Sequence, residues 1–179
     1  QRILITGGGT GLGLGMAHTL ANLGAEVHIA GRRLDVLEEA AKAIAAESGV
    51  PAFAHQLDIR SAQAVDTVVG DLWAKHGPLT ALINNAAGNF VSRTEDLSVN
   101  GFHAISDIVF RGTFYIPQAV GKRWIAGALP GAVLSIVVTC IDTGSPFVVP
   151  SAMSMAGLDA MTTSLAVASG PQRLRCNPF

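Results

Sequence analysis

Five glycines lie between an apolar run and a helical pattern near the start of the chain. The stretch reads ILITGGGTGLGLGMA, and the five glycines that precede the helical pattern are Gly7, Gly8, Gly9, Gly11 and Gly13. Glycine permits positive φ and lets the backbone approach a ligand closely. The helix that follows offers free N–H groups and the positive end of its dipole to an anion. A strand, a glycine-rich turn and a helix in this order predict a loop that binds the pyrophosphate of a dinucleotide.

Two arginines follow the second apolar run, at the position that separates NAD from NADP. An acidic residue that binds a ribose 2′-hydroxyl is expected at the end of this strand, but Gly31 stands there and Arg32 and Arg33 come next. No carboxylate would repel a 2′-phosphate, and a guanidinium can bind one with two hydrogen bonds. The alternative is that both arginines belong to a solvated helix start. We predict NADP(H) as the cofactor.

Short apolar runs alternate with helical patterns along the chain, and they would hold these residues in place. The runs are mostly apolar on both faces, as in buried parallel strands. This alternation predicts a single α/β domain over residues 1–179, with a doubly wound (Rossmann-type), mostly parallel sheet and helices on both faces. Little follows the last strand, so we expect the domain to lack its C-terminal end. The predicted strands are 2–6, 25–30, 51–57, 79–84, 131–138 and 173–177, and the predicted helices are 12–24, 33–48, 61–76, 101–127 and 150–168.

Composition excludes several classes of function. Hydrophobic residues make up 49% of the 179 residues and the net charge is −1, which argues against a nucleic-acid partner. No apolar run approaches the roughly 18 residues of a membrane span. Cys140 and Cys176 are too few for a disulfide framework, so we expect a cytoplasmic or other intracellular location. The five histidines show no metal-site spacing, so we expect no metal, with His28 and His55 as core or edge residues.

Three features resemble the short-chain dehydrogenase/reductase family. They are the glycine spacing from Thr6 to Gly13, the stretch INNAAG (83–88), which is similar to the family's Asn-Asn-Ala-Gly motif, and Asp58, at a position where the family contacts adenine. The resemblance covers essentially the whole chain. It implies a cofactor site formed by Thr6, Gly7, Gly9, Thr10, Gly11, Leu12, Gly13, Arg32, Arg33, Asp58, Ile59, Asn84, Ala86 and Gly88.

A narrower resemblance is to the 2,4-dienoyl-CoA and trans-2-enoyl-CoA reductases, through NNAAGNFVSRTEDLS (84–98) and TGSPFVVPSA (143–152). It implies NADPH-dependent reduction of an unsaturated acyl-CoA in fatty acid metabolism. Asn89 would donate to the thioester oxygen, where negative charge develops, and Arg60, Phe90 and Ser98 would line the acyl-CoA path. The alternatives are that Asn89 stabilises a turn, that Phe90 only packs and that Arg60 is a solvated charge.

The catalytic residues of this subfamily are replaced. In this subfamily a Tyr lies fifteen residues before a Lys, and a Ser lies four residues before the same Lys. If Ser151 is that Ser, Cys140 stands at the Tyr position and Met155 stands at the Lys position. In the general Tyr-x-x-x-Lys pattern, Ser151 itself takes the Tyr position. Arg111 stands where the family usually has Asn. Methionine carries no charge and cysteine donates only weakly.

Two hypotheses follow from these replacements. The chain is a reductase in which Asn89 and Ser151 are the surviving catalytic candidates, or it is a catalytically impaired dinucleotide-binding homologue that acts as a sensor or assembly partner. In the family, the helix predicted at 101–127 forms a subunit interface, so we expect a homo-oligomer, dimer or tetramer. The alternative is that further chain covers this helix.

Overall fold

The computed structural model describes residues 1–179 and contains one six-stranded sheet in the order β3-β2-β1-β4-β5-β6. Every neighbouring pair of strands is parallel. The predicted doubly wound sheet is therefore confirmed. The strands are β1 (Arg2–Thr6), β2 (Glu26–Gly31), β3 (Ala52–Gln56), β4 (Ala81–Asn84), β5 (Gly131–Ser135) and β6 (Leu174–Pro178).

Helices connect the strands and cover both faces of the sheet. They are α1 (Gly11–Asn22), α2 (Leu34–Ser48), α3 (Ala62–His76), α4 (Val99–Ser106), α5 (Thr113–Ala126), α6 (Cys140–Thr143) and α7 (Val149–Ser169). A stretch of π-helix, Asp107–Gly112, joins α4 to α5, and a short 3₁₀ turn, Gly170–Gln172, follows α7. None of these helices combines the length and the apolar character that a membrane span needs.

Two apolar cores lie on opposite faces of the sheet. Ala17 of α1 and Ile44 of α2 pack with Ile5 and Ile29 on one face. Side chains of α3 and α5 pack with Leu4 and Leu82 on the other. Alternate strand residues therefore face different cores, as expected for a sheet buried on both sides.

The sequence did not predict the π-helical stretch or α6. The helix predicted at 101–127 is divided into α4, the π-helical stretch and α5. Gly112 ends the π-helical stretch and lies close to the sheet side of the domain, since a Cβ there would lie 2.7 Å from the Ile59 side chain. Pro117, inside α5, also lacks the N–H that would continue the ladder of hydrogen bonds. The strand predicted at 131–138 ends at Ser135, and α6 begins at Cys140.

Trp124 connects α5 to the sheet. Its ring is fully buried, and its Nε1–H donates a 2.6 Å hydrogen bond to the Leu79 carbonyl. A Cβ on Gly131 would lie within 2.5 Å of this ring, so the strand presents glycine where the indole lies against it. The close packing of the indole on Gly131 and one buried hydrogen bond therefore hold α5 against the sheet.

Replacing this indole should therefore destabilise the fold. We expect Trp124→Phe to lower the free energy of unfolding by about 1–3 kcal/mol, because the Leu79 carbonyl is left buried and unpaired, with a further loss from the smaller ring. Trp73→Phe, on the partly buried face of α3, is the matched control and should lose clearly less. Urea unfolding followed by far-UV circular dichroism measures both, and equal losses would contradict this role of Trp124.

Candidate functional site

A cleft of about 340 Å³ lies at the carboxyl edge of the sheet, where β1 and its neighbours β2 and β4 end. The first three strands form one half of the sheet and the last three form the other, and the two halves meet between β1 and β4. Ligands of doubly wound folds bind at such a switch point. The residues lining the cleft are Gly7, Gly9, Thr10, Leu12, Gly13, Ala30, Gly31, Arg32, Arg33, Val36, Leu37, Leu57, Asp58, Ile59, Asn85, Ala86, Ala87 and Ile108.

The glycine loop forms the floor of this cleft. Gly7 and Gly11 have φ of +67° and +55°, which side chains disfavour. A Cβ on Gly13 would overlap the Gly7 carbonyl and lie 2.6 Å from Asn85 Nδ2. Thr10, the N-cap of α1, makes no side-chain capping hydrogen bond, and the first turn has no acidic residue. The free N–H groups of this turn suit an anion such as a pyrophosphate.

Thr6 and Asn85 hold the loop against β4. Thr6 Oγ1 accepts hydrogen bonds from the N–H groups of Asn85 (3.1 Å) and Ala86 (3.0 Å). Asn85 Nδ2 donates to the carbonyls of Thr6 (3.0 Å) and Gly7 (3.3 Å). Thr6 is 2% exposed and does not line the cleft, so it positions the site from behind. Asn85 lines the cleft and belongs to the INNAAG motif. Within this motif the predicted cofactor residue was the adjacent Asn84, not Asn85.

Asn84 and Gly88 lie outside the cleft. Asn84 is buried between β4 and β5, where its Nδ2 donates to Ser135 Oγ at 3.4 Å, and its Oδ1 has no hydrogen-bond partner. The Ser135 hydroxyl also hydrogen-bonds that of Thr162, at 2.9 Å. Gly88 lies against Ile108, which lines the cleft. Asn84 therefore joins strands and α7 beneath the site.

The two arginines after β2 lie at the far end of the cleft. Arg32 and Arg33 are exposed, and neither guanidinium has an ion-pair or hydrogen-bond partner in the chain. Nearby, Arg60 Nε donates to both oxygens of Asp58, at 2.9 and 3.0 Å. These bonds hold the pKa of the Asp58 carboxyl below its usual value. Asp58 therefore stays ionised beside the cleft, and Arg60 is paired with it rather than lining the cleft.

The loop after β4 carries the predicted acyl-CoA residues. Asn89 is exposed, and its amide makes no hydrogen bond within the chain. Phe90 packs on Gly101, where a Cβ would lie 2.9 Å from its ring. Ser98 is the N-cap of α4, because its Oγ accepts from the Gly101 N–H at 3.0 Å. Phe90 and Ser98 thus have structural contacts in addition to their predicted role.

A second loop, after β5, meets this one. The Ser92 N–H donates to the Phe147 carbonyl at 3.0 Å, so the stretches before α4 and before α7 lie side by side. Cys140 begins α6 and is half-buried. The fold thereby places the two subfamily motifs next to each other, as the dienoyl-CoA reductase resemblance requires.

Met155 lies in an apolar cluster. It is 6% exposed and packs with Ile105, Val109 and Leu158. Ser151 lies one turn earlier on α7 and is also buried. The predicted lysine position is therefore filled by an uncharged side chain that serves as core.

Arg111 does not supply the missing cation. Its side chain is 61% exposed and forms an ion pair with Asp107 at 3.0 Å, one turn earlier. It does not line the cleft. The candidate active site therefore offers amide, hydroxyl and thiol groups but no positive charge from these positions.

Comparison with known proteins shows the family to which this chain belongs. The short chain dehydrogenase family model matches residues 1–179. The chain belongs to the short-chain dehydrogenase family. A short chain dehydrogenase from Bacillus anthracis has a similar structure, with 40% identity and a TM-score of 0.94 over 99% of this chain and 74% of that one.

Curated relatives narrow the resemblance. An uncharacterised oxidoreductase of Caenorhabditis elegans is 47% identical over 97% of this chain and 56% of its own length. Proteins named as probable 2,4-dienoyl-CoA reductases are 42% identical in C. elegans, over 98% of this chain and 57% of the relative, and 39% identical in Bacillus subtilis, over 95% and 66%. The chain spans less than two-thirds of the length of these relatives. The predicted resemblance to dienoyl-CoA reductases is confirmed.

The contact between Gly13 and Gly7 gives a sharp test of the cleft. We expect Gly13→Ala to abolish NADPH binding, because its methyl group would push α1 away from the loop. Gly15→Ala is the matched control: it lies on the same helix with nothing within 4 Å of the new Cβ, and alanine should stabilise α1 by about 0.5–1 kcal/mol. NADPH fluorescence titration measures both variants, and unchanged binding by a folded Gly13→Ala variant would contradict the assignment.

Proposed function

We propose that this chain is an NADP(H)-dependent oxidoreductase that reduces an unsaturated fatty acyl-CoA, in the manner of a 2,4-dienoyl-CoA reductase. The observation that carries the proposal is the cleft at the switch point, which combines a glycine loop with two arginines without partners. The loop that carries the GNF sequence of Asn89 and Phe90 directly follows Asn85, Ala86 and Ala87 of the cleft lining. The printed names of the curated relatives support the substrate class.

The cleft fits a dinucleotide phosphate on its own chemistry. Glycine at position 13 lets the loop close against α1, since a Cβ there would overlap the Gly7 carbonyl, and the first turn of α1 presents N–H groups without a side-chain cap. Arg32 and Arg33 would hold a 2′-phosphate, and the Asp58–Ile59 stretch would flank the adenine. When bound, NADPH supplies the hydride for the reduction.

The acyl end of the site would act through Asn89. Its amide is exposed and makes no hydrogen bond within the chain, so both N–H groups are available to a thioester oxygen. A donor fixed at this point stabilises the negative charge that develops on that oxygen. Ser151 lies one turn before Met155 on α7, and Cys140 offers only a weak S–H donor.

The second candidate is a homologue that binds the dinucleotide without efficient turnover. Met155 favours it, because the lysine position is part of an apolar cluster with Ile105 and Val109. A cofactor-binding cleft is present while the cationic group of the reaction is missing. Such a protein would act as a sensor or an assembly partner.

Self-association, an intracellular location and a role in fatty acid metabolism stay predictions. The face available for a second copy lies on the π-helical stretch, α5 and α7. Phe110 and Phe114 are exposed there and line an apolar groove of about 440 Å³ with Met161.

The cofactor preference depends on the two arginines. We expect an Arg32→Ser/Arg33→Ser variant to bind NADPH roughly 10- to 100-fold more weakly, because hydrogen bonds to charged groups contribute about 1.5–3 kcal/mol. Its affinity for NADH should stay unchanged. Lys42→Ser/Lys122→Ser removes the same number of charges, two, from exposed positions of α2 and α5 outside the cleft, and controls for net charge. Fluorescence titration with both cofactors is the measurement, and a parallel loss of NADH binding would contradict a role in 2′-phosphate recognition.

The missing tyrosine and lysine can be restored together. With a short 2,4-dienoyl-CoA, we expect Cys140→Tyr/Met155→Lys to consume NADPH at least about 10²-fold faster than the unmodified chain, because a donor in this role contributes that much to the rate. A lysine stem can follow the path of methionine and carry its ammonium beyond the apolar cluster. Absorbance at 340 nm follows the reaction.

The control for this experiment is Cys140→Tyr/Met153→Lys, which puts the new cation at an exposed position of α7. Equal turnover by the unmodified chain and the restored variant would contradict the impaired homologue and support Asn89 and Ser151 as sufficient. NADPH binding without turnover in all variants would contradict the reductase.

A further inference from the structure

A cluster of imidazole rings and one carboxylate lies on the sheet face beneath α3, outside the cofactor cleft. Glu26 and His28 are two residues apart on β2 and therefore face the same side. His55 lies on the adjacent strand β3, and His76 is the last residue of α3. None of these four residues lines the cleft. The sequence spacing predicted no metal, yet the fold brings three of the five histidines together.

The ligand atoms of this cluster are separated by distances close to those between the ligands of a bound metal ion. One oxygen of Glu26 and one ring nitrogen each from His28 and His76 lie within 4.8 Å of one another. The Glu26 Oε1 to His28 Nε2 distance is 3.0 Å. Ligands about 2.0–2.2 Å from a tetrahedral ion are separated by roughly 3.3 Å. Only His76 must move closer, and it stands at a helix end before Gly77.

We propose that Glu26, His28 and His76 bind one divalent transition-metal ion of the Zn²⁺ type, with water in the fourth position. Two imidazoles and a carboxylate suit Zn²⁺ and Co²⁺ better than the hard ions Mg²⁺ and Ca²⁺. His76 is partly exposed and borders a cavity of about 640 Å³ lined also by Phe53 and Asp71. An ion can reach the ligands from this side.

His55 provides the support that a ligating histidine needs. Its Nε2 lies 2.8 Å from His28 Nδ1, and a ligating imidazole normally donates its second N–H to such an acceptor. With the ion on Nε2, the single proton of neutral His28 resides on Nδ1 and is donated to His55. His55 is thus a positioning residue.

Arg2 is the competitor of the ion. Its Nε is hydrogen-bonded to Glu26. Part of the charge of the Glu26 carboxylate is therefore already neutralised by the guanidinium. Removing the guanidinium should make metal binding tighter, whereas removing any ligand should make it weaker.

The test uses the full, tag-free chain after treatment with a chelator. We expect Co²⁺ to bind at one equivalent with a visible absorption band, and Zn²⁺ to displace it and raise the Tm. His76→Gln, at the partly exposed end of α3, should reduce the affinity at least ten-fold and abolish the Tm shift. His18→Gln is the matched control, since His18 pairs with Glu47 at the surface, and it should bind as the unmodified chain does.

Two results would overturn the proposal. One is the absence of saturable one-to-one binding by the unmodified chain, and the other is unchanged affinity in His76→Gln. Arg2→Gln supplies an independent check, because it should tighten Zn²⁺ binding. Weaker or unchanged binding by a folded Arg2→Gln variant would contradict Glu26 as a ligand.

Discussion

The contact between the glycine loop and the start of α1 is the constraint on which the site depends. Gly13 lies so close to the Gly7 carbonyl that no side chain fits between them. The amide of Asn85 donates to the same carbonyl, and Thr6 accepts from the backbone after β4. Through these contacts the carboxyl ends of β1 and β4 are fixed relative to α1. The cleft exists because three segments meet at one carbonyl group.

The sequence predicted the fold well because local patterns encode it. Apolar runs and helical patterns alternate, and all six strands and the main helices lie where these patterns indicated. The π-helical stretch was missed because the pattern of 101–127 reads as one continuous helix, and the close approach of Gly112 to Ile59 joins residues far apart in the sequence. The short helix α6 was missed because four residues carry no readable period.

The sequence predicted the part of the candidate site whose backbone geometry follows from a motif. It did not predict which side chains form contacts with each other. Gly7, Gly9, Gly13 and the two arginines line the cleft. Thr6, Gly11, Asn84 and Gly88 do not, and the cofactor contacts of the whole set stay a prediction. Asn84 and Asn85 are adjacent and of the same type, so only the direction of each side chain separates the strand-joining residue from the one at the cleft. Arg60 is paired with Asp58, a contact between residues two apart that composition alone does not reveal.

Met155 and the histidine cluster differ in how their side chains suit a buried position. Met155 is apolar at a position predicted for a charged residue, whereas His28 is polar and fully buried. Met155, at the position where the resemblance predicts a lysine, packs in an apolar cluster with Ile105 and Val109. The histidine cluster is the reverse case, because His28 is fully buried and still hydrogen-bonded at both ring nitrogens. An unmade hydrogen bond of a buried polar group costs free energy, and His28 avoids this cost through Glu26 and His55. The cluster lies on a part of the sheet that the cofactor cleft does not touch, so its polar contacts are separate from those of the cofactor site.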